Sequence, residues 1–315
     1  MNLTKLLTAP ASAKVDWRVR ALRAAVGAAC AMAPERMSRL AERWWFTPPR
    51  QHVSAAAAAF LDTAEPLSLV AGAARVTGYA WGRGPLVVAM HGWGSHVGRW
   101  RTPIDAFVAA GFRVLAFDAP SHGRSDPGEW GPRQANFNEM AAMLFAIVDT
   151  FGMPHALVAH SGGCTASALA LRRGLKAGRV VWFAPMVRPG DYVSRYQQSL
   201  NLSNEVMLRW QTRAEHRLGF RWADLDIADL PRHVPAPPAL VLHDRDDVET
   251  FADDSVDLVA RWPGARLHLT QGLGHHGVLR DAATLRDVVA FLHDDFGVQE
   301  NRHVAVSKAT AASYQ

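Results

Sequence analysis

The stretch that decides the reading is HALVAHSGGCTASALAL, residues 155–171. Its opening run, HALVAHS (155–161), has the near-continuous Ala, Leu and Val of a strand buried on both faces of a parallel sheet. GCTASALALRRG (163–174) then carries small and apolar residues at helical spacing. Between the two lie Ala159-His160-Ser161-Gly162-Gly163, where the chain must turn from strand to helix. A turn of the G-x-S-x-G type holds its serine in strained backbone, exposes the hydroxyl and aims the following N–H groups at whatever that hydroxyl attacks. Crowding at such a turn calls for small side chains; Ala159 stands at the first glycine position and Gly163 keeps the second. Ser161 is therefore a candidate nucleophile. A Ser-Gly-Gly nest for a phosphate would select the same small residues, so this motif alone leaves two readings open.

Outward from this stretch the same alternation recurs. Apolar runs at 85–90 (PLVVAM), 112–118 (FRVLAFD), 179–185 (RVVWFAP), 238–244 (PALVLHD) and 265–271 (ARLHLTQ) have the length and continuity of covered strands. Helical patterns separate them at 103–111, 136–152, 253–262 and 284–296, and two β segments precede them at 66–72 and 74–82. Strand alternating with helix predicts one α/β domain over 61–297, a mostly parallel twisted sheet with helices on both faces. The rhythm breaks once. Between Pro185 and Pro238 no strand is legible and SNEVMLRWQTRAEHRLGF (203–220) is helical in pattern, which predicts a small cap inserted at about 187–236. Residues 1–60 show helical spacing up to Pro48-Pro49, where a missing donor and a restricted predecessor end a helix. They predict an N-terminal helical extension, and the polar, aperiodic residues 298–315 a flexible tail.

The ends of these runs carry polar residues that fit one chemistry. VVAMHGWGSH (87–96) ends a strand in His91-Gly92-Trp93-Gly94. In a sheet of this topology, the loop after an early strand supplies one N–H to an oxyanion and the residue after the nucleophile supplies the other. Those candidates are the backbone amides of Trp93 and Gly162, with His91 packing the turn. A serine needs a base, and the base an acid to hold it. PALVLHDRDDVETF ends its strand in Asp244, Asp246 and Asp247, and the following strand ends in Gly272-Leu273-Gly274-His275-His276. Ser161, Asp247 and His275 follow one another in the order serine, acid, histidine expected of such a sheet.

Together these residues resemble the α/β-hydrolase superfamily, in its esterase-like branch with a short cap, over about residues 65–297. FDAPSHGRSD (117–126) is similar to that superfamily's D-x-P-G-x-G-x-S loop, with Ser121 for the first glycine and His122 at a variable position. HDRDDVE (243–249) is similar to its H-G-x-x-D acid loop, with Asp244 for the glycine. The resemblance implies Asp247 as the acid, Asp118 as a loop anchor, Ser161 as nucleophile and His275 as general base. It implies a carboxylic ester or thioester substrate of small to medium acyl size, and neither metal nor organic cofactor. C–C bond hydrolysis, cofactor-free lyase chemistry and non-catalytic ligand binding are the alternatives that the same fold supports. Candidate substrate contacts are His160 beside the serine and Tyr192 and Trp210 in the cap, where Arg188, Tyr196 and Trp222 add to the aromatic and basic content.

Composition excludes other classes. Of 315 residues, 49% are hydrophobic and 20% charged, which suits a globular chain and not a disordered or collagen-like one. No run reaches the roughly 18 apolar residues of a membrane span. Ala11-Ser12-Ala13 looks like a cleavage site, but the apolar core before it is only Leu6-Leu7, too short for an export signal. Cys30 and Cys164 allow at most one disulfide and no usual zinc site. A cytoplasmic location is the expectation. The net charge of +5 comes from arginines scattered among acids, with no RRM, helix-turn-helix or zinc-finger pattern. The partner expected is a small molecule and not nucleic acid.

Overall fold

The six apolar runs and the two β segments before them all form strands: β1 (Glu65–Ala71), β2 (Ala74–Trp81), β3 (Leu86–Met90), β4 (Arg113–Phe117), β5 (Ala156–His160), β6 (Val180–Phe183), β7 (Ala239–Asp244) and β8 (Arg266–Thr270). The structure, a computed structural model, describes residues 17–49 and 51–294. The tail expected at 298–315 and the leader-like segment around Ala11-Ser12-Ala13 lie outside the described residues. The strands make one sheet in the order β1-β2-β4-β3-β5-β6-β7-β8. β2 runs antiparallel to β1 and β4, and every other pairing is parallel. Composition follows position. β5 and β7 are buried at every residue, whereas edge strand β1 is mostly wet, as central parallel and outer antiparallel strands should be.

Successive residues of a strand face opposite sides, and helices cover both. On one side Val87, Val114 and Val158 pack with Ile104 and Phe107 of α4 (Arg101–Ala109) and with Val288 and Phe291 of α10 (Ala282–His293). On the other, their neighbours Val88, Leu115 and Leu157 pack with Met140 and Leu144 of α5 (Phe137–Phe151) and Leu169 of α6 (Gly162–Arg172). α9 (Ala252–Arg261) covers the β7–β8 end through Leu258.

The segment between β6 and β7 holds α7 (Pro189–Leu200), α8 (Asn204–Leu218) and the 3-10 turns Trp222–Leu225 and Ile227–Arg232. Pro189 starts α7 where a missing N–H costs nothing, and Asn201 ends it in the left-handed conformation, φ 58°. The Ser203 hydroxyl accepts from Val206 N at 3.3 Å to cap α8, which closes at Gly219. N-terminal helices α1 (Trp17–Met32) and α2 (Pro34–Trp45) precede the short α3 (Ala55–Leu61). α2 lies along α8: Glu42, only 4% exposed, accepts from Arg213 and, at 2.8 Å, from Arg217. The Tyr196 hydroxyl of α7 donates to Ala41 O at 2.7 Å.

The sheet order creates the site. After β3 the chain steps out to β4 and then returns to β5 on the other side of β3, so the loops leaving β3 and β5 diverge and open a crevice at the strands' carboxyl ends. Met90 pairs with Ala159, so Gly92 and Ser161 leave the sheet side by side.

Candidate active site

Ser161 has φ 55° and ψ −127°, a strained combination for a residue with a Cβ. Its N–H donates to Phe183 O at 3.0 Å and its carbonyl accepts from Cys164 N at 2.9 Å and Met186 N at 3.3 Å, which holds the turn from both sides. The small residues around it are forced. A Cβ on Gly163 would lie 2.4 Å from His91 O, and one on Gly92 would lie 3.0 Å from Ser161 Cβ. Trp93 N is 3.6 Å from where a Cβ of Gly162 would stand, so the two residues expected to supply the oxyanion amides are neighbours. The first turn of α6 adds the positive end of a helix dipole there.

The loop after β7 carries Asp247 and the segment after β8 carries His275. His275 Nδ1 donates to Asp247 Oδ2 at 2.7 Å, a geometry that faces Nε2 away from Asp247. Asp247 Oδ2 also accepts from the Thr250 hydroxyl at 2.8 Å, and Oδ1 from Glu249 N at 2.7 Å and Thr250 N at 3.0 Å. His243 Nε2 stands 3.3 Å from Oδ2, its own Nδ1 held by Ser255 Oγ at 2.7 Å. Burial opposes ionisation of Asp247, but the hydrogen bonds from His243 and His275 outweigh it and hold the carboxyl far below its ordinary range. The acid stays a carboxylate. His243 and Thr250 are partners that the sequence reading missed, although the H-x-x-x-D spacing already set His243 beside Asp247.

The other two aspartates brace the histidine loop. Asp244 Oδ1 accepts from Gly274 N at 2.9 Å and Asp246 N at 3.0 Å, and Oδ2 from Leu273 N at 3.0 Å and the Thr270 hydroxyl at 2.7 Å. Asp246 Oδ2 accepts from Gly272 N at 3.0 Å. A fully buried carboxylate with four donors cannot rotate toward His275, so the structure separates Asp244 from Asp247 where the sequence offered three similar residues.

His160 is a correction to the expected substrate contacts. It is 3% exposed and donates from Nε2 to His275 O at 3.0 Å, its ring 4.6 Å from that of His275. Burial, reinforced by the neighbouring His275, pushes it well below the ordinary histidine value. It ties the elbow to the histidine loop. Trp210 is the second correction: α8 turns it inward, fully buried, against Trp45, Trp222 and Tyr196. Tyr192 does line a cavity of about 110 Å³, together with Trp93, Phe137 and Met186 from around the elbow and Trp44, Trp45 and Phe46 from α2 and its end. The N-terminal helices thus supply one wall, which no motif announced.

The anchors behave as their positions suggest. His91 Nε2 accepts from Ala119 N at 3.0 Å and Asp118 accepts from Val97 N and Arg124 N, both at 2.8 Å. Ser121 has φ 63°, the left-handed conformation for which its usual glycine is suited. One nitrogen each of His160, His275 and His276 lies within 4.8 Å of the others. That spread exceeds the roughly 3.3 Å between two nitrogen ligands of a tetrahedral zinc ion, and two of the three imidazoles are already engaged as above.

The sequence pattern of the family described as serine aminopeptidase, S33, matches residues 84–262. Over 235 residues the chain is 29% identical to a 2-hydroxy-6-oxononadienedioate/2-hydroxy-6-oxononatrienedioate hydrolase of Burkholderia vietnamiensis, covering 60% of this chain and 80% of that one. Over 237 residues it is 29% identical to a 2-hydroxy-6-oxo-6-phenylhexa-2,4-dienoate hydrolase of Burkholderia cepacia, covering 62% and 82%. Among solved structures, an esterase of Pyrococcus furiosus superposes with a TM-score of 0.58 at 16% identity, over 78% of this chain and 96% of that one. Among the described residues no helix is long and apolar enough to cross a membrane.

Proposed function

Because the chain belongs to the serine aminopeptidase S33 family of α/β-hydrolases, and is a hydrolase of that type, we propose that it cleaves a carboxylic ester or thioester of small to medium acyl size through an acyl-enzyme on Ser161. The observation that carries this reading is the Asp247–His275 pair at 2.7 Å, tied through His160 to a serine in a strained turn. His275 Nε2 takes the Ser161 proton as Oγ attacks the carbonyl carbon. Asp247 stabilises the imidazolium that results without taking its proton. The carbonyl oxygen becomes an oxyanion received by the N–H groups of Trp93 and Gly162, worth about 3–4 kcal/mol each. His275 then protonates the leaving group, and a water activated the same way releases the acid.

A second reading is favoured by the Burkholderia relatives, whose names specify 2-hydroxy-6-oxo dienoates: the same three residues would then cleave a C–C bond in a vinylogous diketone. The deciding experiment compares kcat/KM on p-nitrophenyl esters with kcat/KM on a 2-hydroxy-6-oxo dienoate, alongside fluorophosphonate labelling. Ester turnover with labelling at Ser161 supports the first reading. Turnover of the dienoate alone replaces it with the second, and absence of labelling removes Ser161 as nucleophile.

A further inference from the structure

The cavity beside the elbow is walled by aromatic rings, and its hydroxyl groups are spent. Tyr192 donates to Glu249 O at 3.0 Å, Tyr196 to Ala41 O at 2.7 Å and Thr47 to Arg43 O at 2.7 Å. One lining side chain is different. Asn136, 1% exposed, caps α5 by accepting Glu139 N at 3.0 Å on Oδ1, which fixes which end of the amide is oxygen. Its Nδ2 has no hydrogen-bond partner among the described residues. A buried donor left unpaired is destabilising, and native structures hold few of them. The next residue, Phe137, is 3.6 Å from where a Cβ of Gly162 would stand, so this end of the cavity lies against the elbow. An apolar cavity of about 150 Å³ takes up benzene, so about 110 Å³ suits a compact group of similar or smaller size.

We infer that Asn136 is a specificity residue: its side-chain amide donates to an oxygen acceptor, such as a carbonyl, ether or hydroxyl oxygen, carried by the compact apolar group that fills this cavity. Placing that group in the substrate rests on the serine-hydrolase reading; the preference of the cavity itself does not. The rings supply mainly area, so this buried, unpaired donor biases which end of the group enters and which analogues are refused. A site built to hydrogen-bond an oxygen discriminates against the analogue that lacks it, because the donor is then left buried and unpaired.

Two matched pairs test this. Cyclopentanone and methylenecyclopentane share a shape, are no larger than benzene and differ by the carbonyl oxygen; their affinities for Ser161→Ala protein are measured by ligand-observed NMR. The ketone should bind about tenfold more tightly, the worth of one neutral hydrogen bond. Asn136→Asp keeps a capping oxygen and loses the donor, so it should erase or invert the preference while the melting temperature stays near the parent's. Asn136→Ser keeps a hydroxyl donor and should retain part of the preference. Asn136→Ala removes the cap as well and should lower the melting temperature. In the Ser161-containing enzyme, the kcat/KM ratio of p-nitrophenyl levulinate to p-nitrophenyl pentanoate should fall by about tenfold in Asn136→Asp. Equal affinities in the parent, or a preference that survives Asn136→Asp, would overturn the inference. A binding preference without ester hydrolysis would leave Asn136 in its role and refute the ester reading instead.

Discussion

Three aspartates stand within four residues of one another, and asparagine substitutions should separate them by rate and by stability. In Asp247→Asn the remaining oxygen can still accept from Glu249 N and Thr250 N. The new amide then meets His275 Nδ1, which must accept instead of donate, and the imidazole proton moves to Nε2. His275 can no longer take the Ser161 proton, and the rate should fall by about 10⁴ with only a small loss of stability. Asp244→Asn should do the reverse. Its carboxylate receives four donors, and an amide satisfies only the two on one side. Losing two hydrogen bonds to a buried charge costs about 3 kcal/mol, a melting temperature lower by about 4–5 °C for a chain of this size. His275 then sits on a looser loop, so the rate should drop by only about 10–100-fold, the cost of a misplaced base. Asp246→Asn keeps an acceptor for Gly272 N and should change both measures little. Ester hydrolysis and thermal melting by circular dichroism check all three. A 10⁴-fold loss in Asp244→Asn at unchanged melting temperature, with Asp247→Asn nearly active, would refute the assignment of the acid.

Ser161→Ala should abolish hydrolysis and fluorophosphonate labelling, with a loss on the order of 10⁶; labelling at the parent rate would remove Ser161 from its role. Of the adjacent histidines, His275→Gln should be inactive and His276→Gln should keep most activity, and the opposite result would shift the register of the loop by one residue. Across p-nitrophenyl esters from acetate to palmitate, kcat/KM should rise about fourfold per methylene, from roughly 0.8 kcal/mol of burial each, and peak between about two and eight acyl carbons as the cavity fills; a maximum at palmitate contradicts this. Acid should unfold the protein early. Burial lowers His122 to about 3 and holds His91, His96 and His160 below the ordinary histidine value. Above pH ~6.5 these groups are neutral whether the chain is folded or not. Below it the unfolded chain takes up protons the folded one refuses, so stability present above about 6.5 is lost as pH falls, with His122 alone contributing about 1.4 kcal/mol per pH unit down to about pH 3. Circular dichroism against pH should show unfolding between about pH 6 and pH 4; a fold intact at pH 4 with an unchanged melting temperature would refute it.

What was legible in the sequence follows from which contacts are local. Strands buried on both faces must be apolar throughout, so β3 to β7 announced themselves, and the loops at their carboxyl ends kept small or polar residues that crowding and turning demand. Gly163 and Ser121 illustrate it: one is squeezed by His91 O, the other holds φ 63° in a glycine's place. The functions of Asp244, His160 and Trp210 were not legible for the opposite reason. Asp244 meets Gly274 across 30 residues and His160 meets His275 O across 115, and no periodicity encodes which of two neighbouring polar side chains turns toward a distant loop. Aromatic residues of an inserted cap look alike on paper. α7 presents Tyr192 to the cavity, whereas α8 buries Trp210 beneath it, a difference of helix rotation fixed only by what the helices pack on.

That packing partner is the N-terminal pair of helices, and its consequence reaches the substrate. The family match begins at residue 84, so α1 and α2 lie outside it, as does the segment after residue 262. Yet Trp44, Trp45 and Phe46 wall the cavity. Their placement depends on Glu42, whose buried carboxylate is compensated by Arg213 and Arg217 of the cap, since a buried charge is tolerated only when paired. The candidate triad thus sits on the shared sheet, whereas the aromatic wall of the cavity is assembled from a cap and an extension joined by ion pairs and ring contacts. Likeness in the sheet therefore shows the fold and the hydrolase class, and substrate choice has to be argued from residues 17–49 and 186–222 of this chain.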